Sequence, residues 1–176
     1  TAKAKFEKQE AAAPAAPLAP PDPARIAKTV ATKLPFRGDV TGLTPLAGDA
    51  SNRRYFRVAL KGKPSALILM QLADPEGFKK SEEAVSGASV QIAELPFTNV
   101  LAHLQRTGVT VPQLHYYDRE AGLLYLEDFG DLTLAEACRD ADRARLVSLY
   151  RQAIDQLVLL QVKGTQPPAP GCIAFH

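Results

Sequence analysis

Gly48-Asp49-Ala50-Ser51-Asn52-Arg53-Arg54-Tyr55-Phe56-Arg57 gathers a glycine, small residues and three arginines into one turn-and-strand stretch. Small residues at such a turn let backbone N–H groups close on an anion, and arginines beside them add charge and fork-shaped donors. The chemistry this suits is the covering of nucleotide phosphates. The same residues also describe an ordinary hairpin with solvated arginines, because glycine is common in turns. A second stretch, Leu123-Leu124-Tyr125-Leu126-Glu127-Asp128-Phe129-Gly130-Asp131, leaves an apolar run through an acidic, aromatic and glycine-containing segment. Junctions between layers are favoured ligand sites, and backbone groups at Glu127 and Phe129 would suit a purine edge. A strand end kept soluble by its polar residues reads the same way. His103, His115 and His176 match no catalytic or metal spacing, and Cys138 and Cys172 form neither a C-x-x-C pair nor a metal pattern.

The elements that must position these residues follow from composition and period. Leu43 to Ala47, Tyr55 to Leu60 and Ala66 to Leu72 are short runs rich in apolar, β-branched or aromatic residues. They are linked by the glycine turn and by Lys61-Gly62-Lys63-Pro64, which makes an antiparallel meander. Arg25 to Leu34 suits a short helix with Ile26 and Val30 on one face. Lys79 to Val85 suits another, ended by Ser86-Gly87. Phe97 to Thr107 is clearly helical, with Phe97, Val100, Leu101 and Leu104 on one face and Gly108 as its cap. Gln113 to Tyr117 and Leu123 to Leu126 complete a hairpin. Beyond Asp131 the pattern is helical, opened by a Thr133/Glu136 capping box. Leu146, Tyr150, Ala153, Ile154, Leu157, Val158 and Gln161 then recur at helical spacing, and a stripe so continuous needs partners to bury it.

Composition bounds the possibilities. The chain has 176 residues, 46% hydrophobic and 23% charged, enough for one domain with a core. No apolar run is long enough to span a bilayer, so no membrane partner is expected. A net charge of +2 and a single three-arginine cluster give no nucleic-acid signature. Two cysteines fit a reducing cytoplasm. Five of the fourteen prolines fall among the first 24 residues, which read as an Ala/Pro-rich linker or tether.

Order and spacing together resemble the aminoglycoside phosphotransferase family, and within it the bacterial anomeric kinases of N-acetylmuramate and N-acetylglucosamine. The residues that carry this are Leu46 to Ser51, Arg53 to Arg57, Pro96-Phe97, Gly108-Val109 with Val111-Pro112, Leu126 to Asp131, and Tyr150 through Gln161. The resemblance implies an α+β, protein-kinase-like N-lobe: a five-stranded antiparallel sheet plus one helix, then the first helices of a truncated helical C-lobe. Its parts would be a linker at 1–24, a nucleotide-binding N-lobe at 25–126, a hinge at 127–131 and the start of the C-lobe at 132–176. It implies that Gly48, Asp49, Ala50, Ser51 and Asn52 cover the phosphates of ATP, helped by Arg53, Arg54 or Arg57. Glu127 and Phe129 would hold adenine through a carbonyl and an N–H, with Leu46, Val58 and Leu69 either against the ring or as plain core.

Two departures qualify the match. The third strand, Ala66 to Gln71, carries no lysine, and the helix after it carries Asn99 and His103 but no acid. Past Gln161 there is no aspartate, so neither the family's His-x-Asp-x-x-x-x-Asn loop nor its metal loop is present. The chain is therefore expected to be a nucleotide-binding piece without catalytic or metal-binding residues, inactive alone, with Mg²⁺ ligands beyond His176. The expected partners are a nucleotide and a sugar acceptor, with non-native self-association through the 146–161 helix face. The competing expectations are another phosphotransferase, acting on an aminoglycoside or choline, and a non-catalytic nucleotide-binding or interaction module.

Overall fold

Asp22 followed by Pro23 opens a helix. The Asp22 carboxylate accepts from the Ala24 amide, and proline takes the first turn, where its missing N–H costs nothing. This helix, α1 (Pro23–Lys33), is the first element of a computed structural model that describes residues 18–47, 53–73 and 95–165. Five strands follow: β1 (Asp39–Pro45), β2 (Arg54–Lys61), β3 (Ala66–Gln71), β4 (Leu114–Asp118) and β5 (Leu123–Glu127). They form one sheet in the order β1-β2-β3-β5-β4, every pairing antiparallel. The meander and the hairpin therefore stand as expected, joined where β3 pairs with β5. The first strand begins four residues before the predicted Leu43. Polar Asp39 and Thr41 and a register shift between Val40 and Gly42 blur the alternation there. The predicted helix over Lys79 to Val85 lies outside the described residues.

Between β3 and β4 runs α2 (Pro96–Thr107), again with proline in its first turn. It ends at Gly108, whose φ of 83° is a left-handed conformation that glycine adopts without penalty. The two helices cover opposite faces of the sheet. On one face Ile26 and Val30 pack on Phe56, Val58, Leu67, Leu69, Leu123 and Tyr125. On the other, Leu95 and Leu101 pack with Met70, Leu72, Leu124 and Leu126. Strands β3 and β5 are thus buried on both faces, which is why their sequences are apolar up to the last residue of each, Gln71 and Glu127. Arg25 fastens α1 to the β4–β5 hairpin through Asp118 at 2.6 Å and Glu120 at 2.8 Å.

After β5 come α3 (Leu134–Arg139) and α4 (Arg143–Leu159), continued by a π-helical turn at Leu160–Gly164. The Thr133/Glu136 capping box is formed in both directions, and Asp142 caps α4 by accepting from the Arg145 amide. Gln156 and Gly164 tie this helical arm to α2 and the segment after it: Gln156 accepts from the Thr110 amide, and the Gly164 carbonyl pairs with His103 Nε2. The predicted stripe lies open: Leu146, Tyr150, Ile154, Leu157 and Val158 are all exposed.

Candidate functional site

A cavity of about 440 Å³ opens where the α2 face of the sheet meets the segment leaving β5. Strand alternation decides what faces it. Tyr55 and Arg57 of β2, Ile68 of β3 and Leu126 of β5 share the α2 side, and Leu46 and Ala47 close one end. Phe97 and Pro112 form the opposite wall, and Glu127, Asp128, Phe129, Gly130 and Asp131 line the rim. The result is an apolar slot with a polar backbone edge, which suits a flat heterocycle.

Of the two readings of Val58 and Leu69, plain core holds and contact with the ring does not. Both are fully buried in the core beneath α1, on the opposite side of the sheet from the cavity. The residues one position away, Arg57 and Ile68, face the cavity instead. Leu46 does line it, as expected.

The three arginines go three ways. Arg54 shares the parity of Phe56, stacks over that ring at 5.2 Å and donates to the Leu18 carbonyl at 2.6 Å, on the α1 side. Arg53 lies over Phe97 with 5.6 Å to the ring centroid, beside a cavity wall. Arg57 lines the cavity and grips the segment after β5. Its Nε–H donates to Asp128 Oδ2 at 2.7 Å and Nη2–H to Asp128 Oδ1 at 3.2 Å. Its Nη1 and Nη2 each reach an Asp131 oxygen at 2.8 Å. The two carboxylates, Asp131 foremost, raise the Arg57 pKa further, and Arg57 holds the Asp131 carboxyl below the usual range.

Asp128 Oδ1 also accepts from the Gly130 amide at 2.8 Å, and Gly130 takes a φ of 78°. That turn presents Phe129, 57% exposed, at the rim. Glu127 is fixed from the β4 side: its amide donates to the Gln113 carbonyl at 2.9 Å, and its carboxylate accepts from the Gln113 amide at 3.1 Å. Arg57, Glu127 and Phe129 are therefore brought together. Gly48, Asp49, Ala50, Ser51 and Asn52 lie outside the described residues, between Ala47 of the cavity and Arg53. Sequence reasoning missed Tyr55, Ile68, Phe97, Asp128 and Asp131. Alternation counted from Arg57 would have found Tyr55; nothing in the sequence marks the ion pairs.

Among the described residues the histidines and the cysteine do not gather, and His176 and Cys172 lie outside them. His103 pairs with the Gly164 carbonyl at 2.7 Å, and His115 packs edge-on to Phe36 at 5.1 Å. Cys138 is a free, half-buried thiol. Among the described residues no group of three or more His, Cys, Asp or Glu is placed to hold a metal ion. In the same residues no helix is long and apolar enough to cross a membrane.

Comparison with known families agrees with this geometry. The model of the phosphotransferase enzyme family matches residues 42–170, from within β1 to beyond the π-helical turn, so the whole cavity lies inside the match. No curated protein matches the chain.

Proposed function

Because the chain belongs to the phosphotransferase enzyme family, we propose that it is the ATP-binding part of a small-molecule kinase that phosphorylates a sugar. The observation that carries this reading is the cavity itself: an apolar slot bounded by a backbone edge, with Ala47, the residue before Gly48 in the sequence, in its lining. The purine would lie against Leu46, Ile68 and Leu126, with the Glu127 carbonyl and the Phe129 N–H at its edge. Gly48 to Asn52 would close over the phosphates. Of the three arginines, Arg53 lies over Phe97 beside the cavity, Arg54 is turned to the α1 side and Arg57 is held by carboxylates.

ATP supplies the γ-phosphoryl group. Its bond to the β–γ bridging oxygen breaks, a sugar hydroxyl oxygen takes the phosphorus, the hydroxyl proton is released and ADP leaves. The acceptor in this reading is the anomeric hydroxyl of N-acetylmuramate or N-acetylglucosamine, in cytoplasmic recycling of cell-wall sugars. It rests on the resemblance of Leu46 to Ser51 and Arg53 to Arg57 to that subgroup.

Two experiments test it. Calorimetric titration of the chain with ATP should show saturable binding, weakened by Gly48→Val; a chain that ignores ATP overturns the reading. Phosphorus NMR of the whole gene product with ATP, Mg²⁺ and N-acetylmuramate should show an anomeric sugar phosphate. Product formed only with choline or an aminoglycoside would keep the kinase and reject the sugar.

A further inference from the structure

Arg57 lies 71 residues before Asp128, yet its guanidinium meets both carboxylates of the turn that follows β5. Asp128 in turn holds the Gly130 amide, so the ion pairs and the left-handed turn form one unit. Phe129 sits in the middle of that unit, at the rim of the cavity.

We propose that Arg57 is a positioning residue: by clamping Asp128 and Asp131 to the sheet it sets the distance between the base-binding backbone of residues 127–129 and the apolar wall formed by Leu46 and Ile68. The inference rests on the nucleotide reading above. Two features of the geometry carry it. All three guanidinium nitrogens are engaged by carboxylate oxygens, and a planar fork is what lets one side chain serve two carboxylates; a lysine ammonium has no such geometry. A move of Arg57 to the phosphates would strip both acids of their partner, and the Asp128 side chain is only 10% exposed. Leaving that carboxylate without its counter-charge is costly.

The experiment titrates the 176-residue chain with adenosine and with Mg·ATP. It also follows amide hydrogen exchange across residues 127–131 without nucleotide. Arg57→Gln is expected to speed exchange at Gly130 and to weaken both ligands by one common factor, about tenfold. Arg57→Lys keeps the charge and loses the fork, so it should fall between wild type and Arg57→Gln. Asp131→Asn, on an exposed side chain away from the strand, should weaken both ligands about threefold and serves if Arg57→Gln does not fold. A loss confined to ATP, with adenosine binding intact, would place Arg57 at the phosphates and overturn the clamp. Unchanged exchange at Gly130 would overturn it as well. A wild-type chain that binds neither ligand removes the nucleotide reading and the base-positioning role together. Wild-type binding that none of the variants alters removes the clamp alone.

Discussion

Ile68 faces the cavity and its neighbour Leu69 is fully buried beneath α1, so substitutions one position apart should separate binding from stability. Leu69→Ala is expected to cost about 2–5 kcal/mol of unfolding free energy and leave the ATP dissociation constant unchanged. Ile68→Trp should fill the slot, weakening ATP by about tenfold or more while moving the melting temperature little. Chemical denaturation and calorimetry read the two effects. The phase of this strand was not legible in the sequence. In a run such as Ala66-Leu67-Ile68-Leu69-Met70 both faces are apolar, and an alternation without contrast has no visible origin. Leu46, Glu127 and Phe129, which line the cavity, stand out in the sequence because composition changes there.

His115 is a second test at this scale. Burial pushes its pKa below the usual histidine range, against a smaller opposing pull from Glu127. The unfolded chain then binds that proton more readily than the native one. Native stability is whole above about pH 6.5 and falls as pH drops from there toward the folded pKa. His115→Gln should flatten the melting temperature between about pH 7 and pH 5. An unchanged slope would mean that another group titrates.

At the scale of elements, local signals placed most boundaries. Pro96 and Gly108 bracket α2, and Thr133 with Glu136 opens α3, because caps are made by residues close in sequence. Nothing lies within 4 Å of where a Cβ would stand on Gly108, so Gly108→Ala should cost about 1–2 kcal/mol through its left-handed backbone alone. A Gly108→Asn variant, better suited to that conformation, should recover part of this loss in thermal melts. Where pairing depends on distant chain, the sequence was silent. The joining of β3 to β5 and the seating of α1 on the β4–β5 hairpin leave no short-range mark.

Over the whole molecule, Arg25 holds α1 against the sheet through Asp118, whose carboxyl it keeps below the usual range. A carboxyl lowered in the native state adds stability that is present above about pH 4 and lost as pH falls below it. Asp118→Asn should therefore reduce the acid sensitivity of unfolding as well as stability at neutral pH. The helical arm presents the opposite case. Leu146, Tyr150, Ile154, Leu157 and Val158 leave an apolar face that water does not favour. The isolated chain is expected to self-associate in sedimentation, and Ile154→Glu with Leu157→Lys should restore a monomer. A wild-type chain that sediments as a monomer would contradict this.

The central claim is that a nucleotide base occupies the slot between the sheet and residues 126–131. Photolabelling with an azido-adenine ATP analogue, followed by peptide mapping, tests it most directly. The account predicts saturable label on Tyr55, Phe97 or the 126–131 peptide, displaced by both ATP and adenosine. Label that maps elsewhere, or that neither competitor displaces, would contradict it.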